Sequence, residues 1–447
     1  MTAVIIVGAG PAGMAAALTL VEAGLRPIVV DEAQRAGGQI FRRPPPGFTR
    51  PPAALYGADA AAATRLHLAF DALGDRIDYR PQTLVWAVEP DAVHLQGPQG
   101  RVRLDRGPLL LATGATDRLL PVDGWTKPGV FSLGGSQVAL KAQGVAIGRR
   151  VAFCGTGPLL YLVAYQYAKA GAEVAAVLDT SAFGDGIRAL PLLAADPAKL
   201  ARGIYYLGWL RAHGVPVHHG VRPLTVHGES VTGLTWRDAG RRLNETRCDA
   251  LALGFGLRSE TQLADLAGVP FRFDPIRRQY LPDIDQDGRA PAGAVYLAGD
   301  GAAVRGAAAA ETAGRLAALA LAADLGRPVD TAARDALRGR MARFERFARG
   351  LDAAFPFPVD LLDTATDDTL LCRCEAVTVG TMRHAVGELG AEDVNRAKAF
   401  VRPGMGRCQG RMCGLATSEL HARLRGLPPD QAGRLRGQAP VKPVPLA

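Results

Sequence analysis

Six residues near the start of the chain, Gly8-Ala9-Gly10-Pro11-Ala12-Gly13, restrict what it can fold into more than any other feature. They lie between an apolar run, residues 4–7, and a stretch of small apolar residues, 11–23, which read as a buried strand and a helix. Residues 27–30 supply the next strand, so the chain opens with a strand-helix-strand unit whose sheet must be covered on both faces. In that setting each glycine has its own task. Gly8 permits the tight turn, Gly10 lets a pyrophosphate approach the backbone, and Gly13 lets the helix pack close to the strand. Pro11 and Ala12 open the helix, whose free N–H groups and dipole meet phosphate charge with about 0.3–2 kcal/mol from the dipole alone. Asp31, 18 residues after Gly13 at the end of the second strand, is placed to accept from ribose hydroxyls, with Glu32 beside it as the alternative.

The same grammar recurs at residues 151–178, where a strand, Gly155-Thr-Gly157-Pro-Leu-Leu160 and a helix lead to a second strand ending at Asp179. Leu160 stands where the third glycine belongs, and Asp179 would repel a 2′-phosphate, so a structural domain is expected here in preference to a working NAD site. Residues 294–298 read as a further strand, followed by Gly299-Asp300 and a helix over about 306–324. A carboxylate at Asp300 can hold a ribityl hydroxyl while that helix start faces a pyrophosphate. This resembles the second FAD motif of flavoproteins with two dinucleotide domains, and Leu110-Leu-Ala112-Thr113-Gly114-Ala115 resembles the strand-turn closing their FAD domain. The expected fold is therefore α/β: a Rossmann-like FAD domain with an inserted NAD-like domain.

Composition narrows the remaining classes. An apolar content of 48% over 447 residues excludes disorder throughout and allows two or three packed domains. The excess of 52 basic over 43 acidic residues is scattered, without a Lys/Arg block or interleaved aromatics, so it reads as solvated surface and not as a nucleic-acid interface. The longest apolar stretch, residues 151–168, is broken by Gly155, Gly157 and Pro158, which is no transmembrane segment. The N-terminal residues read as a strand and not as a signal peptide, and a cytoplasmic location is expected.

Four of six cysteines, Cys372, Cys374, Cys408 and Cys413, fall within 42 residues of one another, whereas Cys154 and Cys248 stand in apolar strands. Clustering of this kind in a reducing compartment points to metal thiolates. Four thiolates suit a [2Fe–2S] centre, and zinc is the competitor; zinc ligands usually come as Cys-x2–4-Cys pairs, and Cys372-Arg-Cys374 is tight for that. Arg373, Arg402, Arg407 and Arg411 are near enough in sequence to offset the cluster's charge, and Gly404, Gly406, Gly410 and Gly414 let the backbone aim N–H groups at sulfur. Because no Cys-x-x-Cys accompanies the second nucleotide fold, disulfide reductase chemistry has no redox pair there.

Leu371-Cys-Arg-Cys374-Glu-Ala-Val-Thr378 and Arg402-Pro-Gly-Met-Gly-Arg-Cys408-Gln-Gly-Arg-Met-Cys413 resemble the bacterioferritin-associated-ferredoxin-type (BFD-like) [2Fe–2S] segment of one flavoprotein family. Its members are the FAD-binding subunits of opine oxidases, D-hydroxyproline dehydrogenases and hydrogen cyanide synthase, and the sarcosine oxidase α subunit is a relative. Gly37-Gly38-Gln39-Ile40, Ala112-Thr-Gly-Ala115, Gly124-Trp125 with Pro128-Gly129-Val130, and Gly155 to Leu160 are similar to that family, as is the Val441-Lys-Pro-Val-Pro tail. The likeness implies an FAD domain over residues 1–118 and 252–328, an inserted NAD-like domain over 119–251 and a helical linker over 329–358. A small α-helical BFD-like module over 359–427 and a Pro-rich tail over 428–447 follow.

The same likeness implies a separate β subunit of the amino-acid-oxidase type that oxidises the amine, often beside a small ferredoxin-like γ subunit. This chain then relays electrons, in a dehydrogenase or oxidase for a secondary amine, imino acid or D-amino acid of opine or hydroxyproline type. The alternative is a stand-alone NADH-dependent flavoprotein reductase with an iron–sulfur centre. Arg42 and Arg43 are candidates to face the FAD or a second flavin, FMN, at a subunit interface, with a structural role as the other reading. No acid-base constellation marks a substrate site. His213, His218, His219 and His227 are read as surface residues, and His384 and His421 as possible neighbours of the cluster.

Overall fold

The computed structural model describes residues 3–445. Four short apolar strands and a polar, half-buried edge strand assemble in the order Val295–Leu297, Leu109–Leu111, Ile5–Val7, Ile28–Val30, Asp78–Arg80, and every neighbouring pair is parallel. The third strand in this order opens the chain and the first closes the fold, so the glycine turn after Val7 and Asp300 after Leu297 emerge along the same edge of the sheet. One face carries the helices Pro11–Glu22 and Ala307–Asp324. They cross at Gly314, where a methyl would overlap the Ala12 carbonyl. That close approach explains the run of Ala and Gly in both helices: side chains larger than methyl would hold the backbones apart.

A second parallel sheet follows the order Val217–His218, Glu173–Asp179, Arg150–Thr156, Ala250–Phe255, Val130–Ser132. Each fold also carries a three-stranded antiparallel meander, Leu84–Val88 to Gly100–Asp105 in the first and Arg222–His227 to Leu243–Arg247 in the second. Irregular chain through residues 42–51 matches the proline excursion read from sequence, before the short helix Pro52–Tyr56.

Asp330 caps the helix Thr331–Ala354 by accepting from Ala333 N at 3.0 Å. It leads to the cysteine region: a small hairpin, Leu370–Cys372 with Val377–Thr378, then helices Val379–Gly387, Val394–Val401 and Gly414–Arg425. This module is not a bead on a string. Leu371, Cys372, Met382, Cys413 and Leu420 share one buried core with Trp125, Leu251 and Phe255 of the second fold, and Trp125 Nε1 donates to the Leu370 carbonyl at 2.6 Å. The proline-rich tail runs back over the first fold, where Val441 N donates to Trp86 O at 2.9 Å and Lys442 pairs with Glu32. Among the described residues no helix is long and apolar enough to cross a membrane.

The linker helix is fastened beside Asp300 by ion pairs. Glu345 accepts from Arg277 at 3.1 Å and Arg349 at 3.0 Å and pairs with Arg305, whose backbone N–H donates to Asp300 at 2.8 Å. Burial alone would raise the Glu345 pKa, but these guanidiniums pull it from 4.5 down to about 2. A carboxyl more acidic in the folded than in the unfolded chain stabilises fully above its unfolded pKa and loses that contribution as pH falls through the folded one. Glu345→Gln should therefore lower the melting temperature at pH 7 by a few degrees, on the order of 1–2 kcal/mol because the side chain is partly solvated. Thermal melts should show the gap to wild type closing between about pH 4.5 and 2; a gap independent of pH would contradict the network.

Candidate cofactor sites

The strand ends of the first sheet open into a cleft of about 1290 Å³. Gly8, Gly10, Pro11, Ala12, Asp31, Glu32, Gly38, Gln39, Arg42, Ala112, Thr113, Gly114 and Asp300 all line it. Gly13 and Gly299 do not, and their task is packing: a methyl on Gly13 would overlap the Gly8 carbonyl, and one on Gly299 would sit 2.8 Å from the Ala12 Cβ. Gly8 holds φ +102 with its α-carbon against Ala112. At Gly10, by contrast, a methyl would make ordinary contact, 3.7 Å from the Gly38 Cα. Its bareness leaves the helix start open to the cleft.

Both helix N-termini facing the cleft, capped at Gly10 and Gly306, lack a side-chain cap. Their N–H groups are thus free for ligand oxygens, the donor pattern a pyrophosphate and a flavin carbonyl require. Asp31 accepts from Ala9 N at 2.5 Å and Ala33 N at 2.7 Å, so it braces the glycine turn from beneath; burial raises its pKa, opposed by those two bonds. Glu32 is the more open carboxylate, holding Lys442 of the tail. Asp300 is likewise engaged on one oxygen, by Arg305 N at 2.8 Å and Gly306 N at 3.1 Å, and burial raises its pKa. Its second oxygen is available to a hydroxyl. Arg42 Nη2 donates to Gln39 at 2.8 Å while its Nε is buried without a partner. Arg43 takes the structural role, bound to Asp71 at 2.8 Å. The cradle, the two bare helix starts and the acid at each end fit FAD.

The second fold keeps the turn but not its acid. Gly155 packs on the Gly254 carbonyl as Gly8 packs on that of Ala112, and Gly157 is as bare as Gly10, but Leu160 is fully buried in the position of the third glycine. Asp179, 1% exposed, accepts from the Tyr161 hydroxyl and from Ser181 N at 2.9 Å, and burial pushes its pKa up to about 6. The acid that would meet an adenosine ribose is occupied by the chain's own phenol.

In the C-terminal module the four cysteines converge in a chain of contacts, Cys372 to Cys413, Cys413 to Cys408 and Cys408 to Cys374. Backbone N–H groups of Gly404, Cys374 and Glu375 point at the Cys372 sulfur, and those of Gly410 and Met412 at Cys408. The Cys413 thiol lowers the pKa of Cys372 to about 6 and of Cys408 to about 5. Among the described residues no three His, Cys, Asp or Glu side chains close on one point suited to a single ion. Four thiolates with backbone N–H groups aimed at their sulfurs are a donor set that fits [2Fe–2S]. Cys372 and Cys413 are buried and Cys374 is exposed. Leu435 of the tail covers the loop, its Cδ1 2.9 Å from where a methyl on Gly404 would lie and 3.4 Å from those on Gly410 and Gly414.

Sequence reasoning did not foresee that the two sites touch. Arg411 and Met412, in the cysteine loop, line the flavin cleft. Arg411 donates to Glu260 at 2.7 Å and to Val441 O at 2.5 Å, and the Glu260 carbonyl accepts from Thr113 Oγ1 at 2.6 Å. Two of the four arginines expected to balance the cluster are thereby neutralised, Arg411 by Glu260 and Arg402 by Glu375 at 2.9 Å. His421 is buried against the Ala391 carbonyl at 3.0 Å, His384 pairs with Glu388 at 3.0 Å, and Cys154 and Cys248 are buried. Of the other histidines, His213 and His218 are exposed and His219 and His227 half-buried. His67 was also missed: it is buried, holds the Phe41 carbonyl at 3.0 Å and is kept neutral, its pKa lowered by burial to about 4.

Comparison with known proteins agrees with this arrangement. The pyridine nucleotide-disulphide oxidoreductase model matches residues 2–320, and the BFD-like [2Fe-2S] binding domain matches residues 370–422. The A subunit of opine oxidase from Agrobacterium tumefaciens (strain Ach5) is 38% identical over 99% of this chain and 90% of its own length. The HcnB subunit of hydrogen cyanide synthase from Pseudomonas aeruginosa is 33% identical over 99% of this chain and 97% of its own. The alpha subunit of sarcosine oxidase from Rhizobium meliloti (strain 1021) is 28% identical over 96% of this chain but only 40% of its own length. Among solved structures, L-proline dehydrogenase from P. horikoshii shares the fold, with a TM-score of 0.73 at 20% identity over 100% of this chain and 78% of that one.

The glycine geometry separates folding from binding. Gly10→Ala should keep far-UV circular dichroism and soluble yield while the FAD content of the purified protein falls at least tenfold, whereas Gly13→Ala should not fold. A Gly10→Ala protein with full flavin would remove the cleft from consideration as the FAD site.

Proposed function

The chain belongs to the pyridine nucleotide-disulphide oxidoreductase family and, within it, with HcnB and the opine oxidase A subunits; it is a flavin-dependent oxidoreductase with FAD and [2Fe–2S] as cofactors. From that premise we propose that it is the electron-relaying subunit of a heteromeric dehydrogenase. The donor is a secondary amine, imino acid or D-amino acid of opine or D-hydroxyproline type. The observation that carries this reading is the shared wall of the two sites: the loop between Cys408 and Cys413 contributes Arg411 and Met412 to the flavin cleft. FAD when bound exchanges electrons in pairs or singly, and the cluster accepts them one at a time. The chain's own residues hold the two groups in register. Glu260 and Arg411 fix the loop against the cleft, and Thr113 ties Glu260 to the strand end beneath it.

The amine is oxidised on a partner of the amino-acid-oxidase type, the β subunit, and a small ferredoxin-like γ subunit is a further member. The relatives' printed names, each that of a subunit, support a partner. A second flavin, FMN, at that interface would find Arg42, whose Nε lacks a partner, whereas Arg43 is committed to Asp71. Six free cysteines, four of them converging, suit the cytoplasm.

The alternative, a self-contained NADH-dependent reductase, is disfavoured by the Tyr161 plug on Asp179. The two separate in one anaerobic experiment on the flavin- and iron-loaded chain. NADH alone should leave the visible flavin band unchanged, and opine or D-hydroxyproline should bleach it only after the amino-acid-oxidase-like subunit is added. Bleaching of the isolated chain by NADH would overturn the assignment.

A further inference from the structure

Arg258 lies on the strand Leu257–Ser259, paired antiparallel with Ala115–Asp117 where the chain returns from the second fold to the first. Its guanidinium leaves that strand for the cysteine loop: Nη1 donates to the Gly410 carbonyl at 3.1 Å and approaches that of Arg411 at 3.4 Å, both between Cys408 and Cys413. A methyl on Gly414, the residue after Cys413, would lie 3.6 Å from the same nitrogen. Glu260, two residues on, is claimed by Arg411 at 2.7 Å, and among the described residues Arg258 makes no ion pair. A half-buried guanidinium whose hydrogen bonds go to carbonyls, and whose neighbouring carboxylate Glu260 is already paired with Arg411, is favoured by a further anion nearby. Two ferric ions, two sulfides and four thiolates amount to a charge of about −2, which the Arg402–Glu375 and Arg411–Glu260 pairs leave uncompensated. Arg373 and Arg407 beside the ligand cysteines are exposed to water, and the nearer cations are Arg258 and the buried Lys398.

We propose that Arg258, a residue of the flavin-side strand and not of the cysteine module, is a resident countercharge of the [2Fe–2S] cluster and raises its reduction potential. It is a positioning residue: it holds the Cys408–Cys413 loop by two carbonyls and acts on the iron through its charge. One added electron takes the cluster to about −3, so a fixed cation stabilises the reduced form more than the oxidised form. Glu260 works in the opposite sense. The cluster's potential is thus set jointly by the module that binds the irons and the fold that binds the flavin. This deepens the electron-relay reading and rests on the cluster assigned there, but its readout needs no partner subunit.

The test is a mediated anaerobic dithionite titration of the full chain loaded with FAD and cluster, followed by the electron paramagnetic resonance of the reduced centre, with iron, sulfide and flavin quantified. Arg258→Gln keeps donors for the carbonyls and removes the charge; its midpoint should move negative by roughly a tenfold change in the reduced-to-oxidised ratio, about 59 mV for one electron. Arg258→Lys should stay near wild type. Glu260→Gln should move positive, and opposite shifts from neighbouring substitutions are not the signature of loosened packing. Midpoints of both glutamine variants unchanged at full iron content, or displaced in the same direction, would overturn the proposal. If Arg258→Gln fails to retain iron, the other two variants decide: Glu260→Gln without a positive shift, or Arg258→Lys displaced as if the charge were lost, would overturn it. Shifts as expected in a chain that an amine and partner subunit never reduce would leave this inference standing and overturn the electron-relay reading instead.

Discussion

The helices Pro11–Glu22 and Ala307–Asp324 lie so close that no side chain fits at Gly314 against the Ala12 carbonyl, and none at Gly13 against that of Gly8. The first of these contacts fixes how closely the two helices approach. It brings a helix start from residue 11 and another from residue 307 to the same opening, each without a side-chain cap, so both ends of a dinucleotide meet unpaired N–H groups. Conformational entropy lost at the glycines is offset by the packing their bareness allows. Asp31 and Asp300 then complete the cleft from below, each tied by two backbone N–H groups, which fixes their carboxylates.

What the sequence discloses follows from this. A turn that needs three bare positions in register leaves a local pattern, and so do cysteines grouped in two short segments; both were legible from residue identities alone. The departure of the second fold from the glycine pattern was legible, since Leu160 replaces a glycine, but the phenol that occupies Asp179 is an ordinary helical tyrosine until the fold brings it there. Arg258, Glu260 and Lys442 carry no local signal at all. Their partners are 152, 151 and 410 residues away, and nothing in the neighbourhood of a lone arginine or glutamate reveals a contact at that separation. The four arginines nearest the cysteines in sequence were the natural choice for balancing charge, and Arg402 and Arg411 turn out to be neutralised by carboxylates.

The occupied acid of the second fold raises the question of what that fold contributes. Trp125 of that fold donates to the Leu370 carbonyl, two residues before Cys372, and the apolar side chains around Leu251 and Phe255 continue without a break into those around Met382 and Leu420. The Cys372 hairpin is therefore seated on the second fold. The Cys408–Cys413 loop is seated on the strand and turn that lead back into the first, through Arg258, Glu260 and Gln262.

The cysteine module is thus seated on both bodies: Cys372 and Cys413 lie in the core shared with the second fold, while the loop between Cys408 and Cys413 is tied to the strand that leads back into the first. The second fold has a structural role with its acid occupied: it seats the cysteine module. This dependence runs both ways. A cluster bridging the two seats adds its binding free energy to the docking of the folds, because a ligand that binds only the assembled state stabilises that state by mass action. The flavin cleft, whose wall includes Arg411 and Met412, is then complete only when the cluster loop is in place.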